Sequence, residues 1–354
     1  MTSREKTLKA VLIAEHGSAE VLYLHDVVTP EVGPGEVLIK IDTVGINRFD
    51  TLVRKGNVPN ASVTFPHVLG VEGAGIVAEV GPGVNGFKAG DRVVPVLTVS
   101  QGTCAEPVCY CAQGHDNICA TFDKLGHTRW GTYAEYVKVN QFSVLLLPDE
   151  VSFLDAATSL VAYATAWEMA RKVSLSPEDT VLINAVGGAV GSAAVQIAHM
   201  TGCRIVASAG SEDKLRRAQQ DGADVGINYR TQHLAEEARA ATGGRGVDVV
   251  LETVGGEVLQ RSLDALAYNG RLSSAGSIEP TETLVDIRRL LVRSQLVLTG
   301  THFTPKESIK QVLRFLARGD LRPVLAARFP LSDARKAHEL LESRDFYGNI
   351  VLEV

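Results

Sequence analysis

The residues from Thr180 to Gly202, TVLINAVGGAVGSAAVQIAHMTG, are of types suited to holding a phosphate. The β-branched run Val181-Leu182-Ile183 leads through glycines into small and apolar residues at helical spacing from Ala189 to Met200, which reads as strand, tight turn and helix. The N–H groups of such a helix N-terminus, with the helix dipole behind them, favour an anion, and a pyrophosphate fits. Gly188 lets the diphosphate approach the backbone and Gly191 lets the helix pack on the strand, whereas the first position of the fingerprint G-x-G-x-x-G is Val186, preceded by Ala185 and followed by an extra Gly187. The plainer reading is an α/β turn without a cofactor.

About twenty residues after such a turn, an NAD-preferring site carries Asp or Glu for the ribose hydroxyls. This chain has Ser208-Ala209-Gly210-Ser211, then Lys214, with Tyr229 and Arg230 after the next strand. Small hydroxyls and a cation leave room for a 2′-phosphate, so the expected cofactor is NADPH. Glu212 and Asp213 are expected to face solvent at a helix N-terminus.

The five cysteines are a second chemical signal. Cys203 stands alone, where a small buried residue is expected. Cys104, Cys109, Cys111 and Cys119 fall in one stretch, and in a chain read as cytosolic such a cluster suggests a metal more than disulfides.

The elements that must position these groups fall into two kinds. After the glycine turn, strands at Arg204–Ser208, Asp224–Tyr229, Val247–Thr253, Gly270–Ala275 and Ser294–Gly300 alternate with helical patterns, which predicts an α/β unit with a doubly wound parallel sheet. Before it, short alternating runs at Leu8–Ala14, Val21–Val28 and Glu36–Ile46, broken by Pro and Gly, predict a separate β-rich domain.

Composition narrows the function classes. The 354 residues are 45% apolar and 21% charged, long enough for two domains of ordinary size. A formal net charge of −6 without a basic block argues against a nucleic-acid partner. No apolar run reaches membrane-spanning length, and the N-terminus is charged and then strand-like, so a cytoplasmic protein with no membrane partner is expected.

The segments GVEGAGIVAEVGPGV, FKAGDRVV, GTYAEYV, ATAWEMA, AVGGAVG and RPVLAARFPLSDARKAHELLESRDFYGNIVL together resemble the medium-chain dehydrogenase/reductase superfamily, in its quinone oxidoreductase-like branch. The resemblance implies a GroES-like β-rich catalytic domain of residues 1–153 and 302–354, a Rossmann domain of residues 154–301, and an active cleft between them. It places Ala185, Gly187, Gly188, Ala189 and Val190 at the pyrophosphate, and Ser208, Gly210, Ser211, Lys214 and Tyr229 at the adenosine end. Thr165 and Asn47 come near the nicotinamide, with Val254-Gly255 and Ala275-Gly276-Ser277 at the far strand ends. It also implies a homodimer joined along the strand at Leu296–Thr301, and a small-molecule substrate.

The positions at which zinc-dependent members hold their catalytic metal are here Asn47, Val71 beside Glu72, and Val161. None is a zinc ligand, and a displaced site using His67 and Asp50 asks more than zinc geometry tolerates. Without a Lewis acid, reduction of a polarised C=C bond is less demanding than alcohol oxidation, because hydride adds to carbon and the enolate needs only a few donors. The reading is an NADPH-dependent reductase of a quinone or an α,β-unsaturated carbonyl. Its rivals are an alcohol or aldehyde dehydrogenase, a reductase of an imine or other unsaturated intermediate, and a nucleotide-binding protein without catalysis.

Candidate catalytic residues are Asn47, Arg48, Asp50 and His127, with His67, Arg129 and Tyr133 as further polar groups. Asp50 could instead cap the helix or pair with Arg54 one turn on. His338, on a helical pattern, reads as a surface or packing residue. The cysteine stretch resembles the family's structural-zinc lobe, usually C-x2-C-x2-C-x7-C, but runs C-x4-C-x1-C-x7-C, so Cys104, Cys109, Cys111 and Cys119 either gather one zinc or form a vestigial loop.

Overall fold

The computed structural model describes residues 7–58, 63–99, 109–119, 123–276 and 282–354. Alternating apolar residues place the first part of the chain in sheet. Strands β1 (Thr7–Ile13), β2 (Tyr23–Val28) and β3 (Glu36–Ile46) precede helix α1 (Arg48–Lys55). Then come β4 (His67–Val68), β5 (Glu72–Val80), β6 (Arg92–Pro95), β7 (Thr98–Val99), β8 (Asp123–Lys124), β9 (Tyr136–Asn140), β10 (Val144–Leu146) and helix α2 (Phe153–Ser159). Helices and strands alternate from there: α3 (Ala162–Lys172), β11 (Thr180–Ile183), α4 (Ala189–Thr201), β12 (Arg204–Ala209), α5 (Glu212–Gln220), β13 (Val225–Asn228), α6 (Leu234–Ala240), β14 (Val247–Glu252), α7 (Gly256–Ala265), β15 (Leu266–Ser274) and β16 (Val297–Gly300). The last elements are α8 (Lys306–Arg318), β17 (Leu325–Pro330), α9 (Ala334–Ser343) and β18 (Asn349–Glu353).

Two units result. The first runs to Val161 and takes up Pro305–Asp345 and Asn349–Val354, and the second is Ala162–Thr304 with Phe346–Gly348. Helix α2 goes with the first unit because it packs on β3, β5 and β18.

In the first unit β3 pairs with β5, β9 and β18, all antiparallel. The main sheet runs β10-β6-β5-β3-β18-β17, with β9 also on β3, and a second sheet runs β2-β1-β4. A Cβ added at Gly45 would lie 2.1 Å from the Ala157 carbonyl and 2.3 Å from Glu72 Oε1, so only glycine lets α2 and the β5 carboxylate close on this strand.

In the second unit six strands run β13-β12-β11-β14-β15-β16, every pair parallel. Leu182, Val206, Val250 and Leu272 pack one cluster with Leu234 and Leu263 of the covering helices, as a sheet covered on both faces requires. The strand order reverses at β11, which makes the carboxyl ends of β11 and its neighbours a topological switch point and the expected binding crevice.

Candidate active site

The nucleotide-binding turn is built where β11 gives way to α4. Asn184 is buried and accepts from Ser208 Oγ at 2.8 Å while donating to Ser262 Oγ at 2.7 Å, which locks the ends of β11 and β12 and helix α7 together. Ala185 then takes φ +52°, a left-handed conformation costing a non-glycine residue about 1 kcal/mol or more. Val186 N–H donates to the Ser208 carbonyl at 3.1 Å and Gly188 N–H to the Ala185 carbonyl at 3.0 Å, closing the turn. Gly188 is the N-cap of α4 and brings no side-chain acceptor, so the first-turn N–H groups from Ala189 onward point at whatever lies beyond the strand end. A Cβ at Gly191 would sit 2.3 Å from the Ala185 carbonyl oxygen, whereas one at Gly188 would meet nothing nearer than 3.6 Å. Gly191 is therefore fixed by packing, while Gly188 leaves space in front of the helix.

Polar and cationic side chains gather at the end of β12. The Lys214 stem lies across the turn, its Cδ 2.5 Å from where a Gly187 Cβ would be. A Cβ at Gly210 would fall 2.7 Å from Tyr229 Oη and 3.0 Å from Arg230 Nε, so both side chains lean over that glycine. Ser211 caps α5 by accepting from Lys214 N. Glu212 is held by Asn228 Nδ2 at 2.7 Å, and Asp213 is engaged by Arg216 and Arg217 on its own helix. This cradle of hydroxyls and cations, with its nearby carboxylates already engaged, fits the 2′-phosphate end of a dinucleotide.

The placement differs from expectation at Ser208, whose hydroxyl turns inward to Asn184. Thr165 is half-buried on α3, and Gly276 is exposed beyond β15. Ala275 N–H donates to the Glu252 carbonyl at 3.0 Å. Sequence reading missed Glu252, which is fully buried at the end of β14 and accepts from Val254 N at 2.6 Å and Gly255 N at 2.9 Å. Burial raises its carboxyl pKa against those hydrogen bonds. An acidic residue ending the fourth parallel strand was the available signal. Ser277 lies outside the described residues.

In the first unit the candidate catalytic groups are set by the start of α1. Asn47 is its N-cap, and its backbone N–H donates to Asp50 Oδ2 at 2.8 Å. The Asn47 side chain turns to β5 and donates from Nδ2 to Glu72 Oε1 at 2.7 Å, while Val161 N–H donates to Glu72 Oε2 at 2.6 Å. Both carboxyls are buried. Burial raises Asp50 to about 7 and Glu72 to about 8, against the hydrogen bonds that favour their charged forms. Asp50 does not pair with Arg54; its Oδ2 also accepts from Tyr133 Oη at 3.2 Å. Arg54 instead meets Glu342 Oε1 at 2.6 Å and His338 Nδ1 at 3.0 Å. His338 is a buried network residue with both ring nitrogens engaged, because α9 turns it toward Tyr133, whose Oη lies 2.9 Å from its Nε2.

Arg48 is half-buried, and Arg129 is an exposed residue paired with Asp123. His127 is 3% exposed, edge-on to Phe49 with ring centroids 5.5 Å apart, and burial lowers its pKa to about 4, which keeps it neutral. Both of its ring nitrogens, His67 Nε2 and Asp50 Oδ1 are buried without a hydrogen-bond partner among the described residues.

Neither metal reading gains a donor set among the described residues, where no three His, Cys, Asp or Glu side chains are gathered to hold an ion. Cys109 and Cys111 are half-buried and Cys119 is buried. Cys104 lies outside the described residues. At the Asn47 position an amide faces a carboxylate, and the flanking Val71 and Val161 offer no ligand atoms.

Comparison with known proteins agrees with this architecture. The alcohol dehydrogenase GroES-like domain model matches residues 33–149 and the zinc-binding dehydrogenase model residues 189–318. The chain is 30% identical over 349 residues to quinone oxidoreductase 1 of Escherichia coli, covering 96% of this chain and 97% of that protein. Among solved structures it is similar to an NAD-dependent alcohol dehydrogenase, with TM-score 0.91 and 39% identity over 98% of this chain and 99% of the other. The Escherichia coli quinone oxidoreductase crystallised with NADPH superposes with TM-score 0.82 at 29% identity, covering 98% and 100%. The chain belongs to the medium-chain dehydrogenase/reductase superfamily, in its quinone oxidoreductase-like branch, and its two units are the GroES-like domain and the parallel-sheet Rossmann domain of that family. It is an oxidoreductase of this superfamily.

Proposed function

We propose that the protein is an NADPH-dependent reductase of a quinone or an α,β-unsaturated carbonyl, acting by hydride transfer without a catalytic zinc. The observation that carries this reading is the Asn47–Glu72 hydrogen bond of 2.7 Å, at the position where zinc-dependent members of the superfamily place a thiolate. An amide at that position is a hydrogen-bond donor and acceptor, suited to orienting a carbonyl, and is not among the Cys, His and carboxylate groups that hold zinc. NADPH supplies the hydride when bound. The α4 N-terminus would hold its pyrophosphate, with Lys214, Tyr229 and Arg230 taking the 2′-phosphate. The solved relative with NADPH supports that choice.

The likeness to an NAD-dependent alcohol dehydrogenase favours a second reading, carbonyl reduction at a metal. Oxidation of NADPH in the presence of quinones, enones, aldehydes and imines, each with and without a chelator, separates the two. Enone or quinone turnover indifferent to chelation is expected. Carbonyl reduction abolished by chelation would establish the second reading, and cofactor binding without turnover would remove both.

The zinc lobe rests on the family resemblance alone. One zinc per chain in protein purified without added metal supports it, none removes it, and two would restore a metal at the reaction site. A homodimer belongs to the same reading. Strand β16 is a sheet edge carrying Val297, 53% exposed, and the preceding segment exposes Leu284, Ile287 and Val292, more apolar surface than an edge facing water carries. The substrate is a small molecule, and a cytoplasmic location completes the reading.

A further inference from the structure

The groups beneath α1 form a hydrogen-bond chain whose direction can be derived. Arg54 is fully buried, and its guanidinium donates from Nε to the Gly17 carbonyl at 3.2 Å, from Nη2 to Glu342 Oε1 at 2.6 Å and from Nη1 to His338 Nδ1 at 3.0 Å. A guanidinium only donates, so His338 Nδ1 must accept and the single proton of the neutral ring must sit on Nε2. That N–H donates to Tyr133 Oη at 2.9 Å, which leaves the tyrosine O–H to donate to Asp50 Oδ2 at 3.2 Å. The same carboxylate oxygen accepts the Asn47 backbone N–H at 2.8 Å, and the Asn47 side chain completes the run on Glu72 at 2.7 Å. One permanent cation thus dictates the proton positions at His338 and Tyr133, and the chain closes on Asp50, where the Asn47 N–H donates from the other side.

Such a chain could serve stability alone. Buried polar networks are, however, poor stabilisers compared with apolar packing of equal volume, and this one ends on the N-cap residue that carries the proposed chemistry. We propose that Arg54, His338 and Tyr133 are positioning residues, whose one-way hydrogen-bond chain fixes Asp50 and through it the orientation of the Asn47 amide during hydride transfer. The kinetic part of this proposal rests on the reductase reading above.

The test combines kinetics with nitrogen-15 spectra of histidine- and asparagine-labelled protein. Tyr133→Phe removes one hydroxyl and no ring volume. It is expected to lower kcat roughly ten- to a hundredfold at an unchanged KM for NADPH, the size of effect that small misplacements produce. It should also shift the Asn47 backbone amide resonance. His338→Gln, which keeps an N–H toward Tyr133, is expected to retain most of the rate lost in His338→Leu. Wild-type His338 should show the Nε2–H tautomer. Unchanged kcat in Tyr133→Phe with only a lower thermal midpoint would reduce the chain to a structural role, and an Nδ1–H tautomer at His338 would overturn it. If the wild-type protein reduces neither quinones nor enones, the reductase reading fails on its own, and the His338 tautomer together with the Asn47 amide shift in Tyr133→Phe decides whether the chain exists.

Discussion

A buried amide facing a buried carboxyl sets the electrostatics of the first unit, and two measurable consequences follow from single side chains. Asp50 and Glu72 have folded pKa values near 7 and 8, above the values of about 4 that they have in the unfolded chain. The folded protein therefore binds more protons across that window. Their contribution to stability is fully present below about pH 4 and is lost as pH rises through 7 and 8. His338 and His127 act oppositely: burial lowers them to about 3 and 4, so they are neutral in the fold and their effect is complete above about pH 6.5. Between about pH 6.5 and pH 8 the carboxyls act alone, and denaturant midpoints should fall as pH rises. Glu72→Gln should flatten that slope, and an unchanged slope would show that Glu72 is already ionised. The second consequence concerns Lys214, whose stem crosses the glycine turn. Lys214→Ala should raise KM for NADPH roughly tenfold or more, as loss of a charge-assisted contact does, and leave KM for NADH little changed. Equal effects on both cofactors would move the 2′-phosphate elsewhere.

At the scale of elements, the β11–α4 turn depends on the absence of a side chain at one position. Gly191→Ala would drive a methyl to 2.3 Å from the Ala185 carbonyl, a clash with backbone rather than a yielding side chain. A loss of about 1–3 kcal/mol is expected, with a thermal midpoint several degrees lower and weaker cofactor binding. Gly188→Ala, with 3.6 Å of clearance, should fold normally and lose affinity for NADPH only. These elements were the legible part of the sequence. Short β-branched-rich apolar runs such as Val181–Ile183 and Val249–Leu251, bounded by turn residues and alternating with helical patterns, read as covered parallel strands, and the glycine spacing marks the turn between strand and helix. The residue types at Asn47, Val71 and Val161 could be read directly, whereas their correspondence to metal-ligand positions came from the family resemblance alone. What sequence could not supply was side-chain direction. His338 lies 205 residues from Tyr133 and meets it only because α9 folds back on β17, β18 and the turn at Ala19–Val21 in the first unit, and nothing local distinguishes it from a solvent-facing helical histidine. At Ser208 the strand end could be read but not the partner: its hydroxyl donates to Asn184 Oδ1, 24 residues away on the neighbouring strand's end.

For the whole molecule, the β16 edge makes a prediction about assembly. If two copies join there, Val297→Lys should convert the dimer to a monomer by light scattering at micromolar concentration, because a buried lysine opposite its own copy sets two like charges together. A wild-type monomer under the same conditions would remove the homodimer. A different consequence lies in the order of the elements along the chain. Strand β18 follows the whole second unit in sequence, yet it occupies an interior place in the first unit's sheet, between β3 and β17. The amino-terminal unit therefore cannot finish when its own 161 residues have emerged. At ribosomal speeds of about 5–20 residues per second it must wait roughly 10–40 s, with the Thr43–Ile46 end of β3 lacking its β18 partner, while the second unit is made. A stop before Asn349 would leave that end of β3 open permanently, an unpaired strand edge of the kind that templates aggregation.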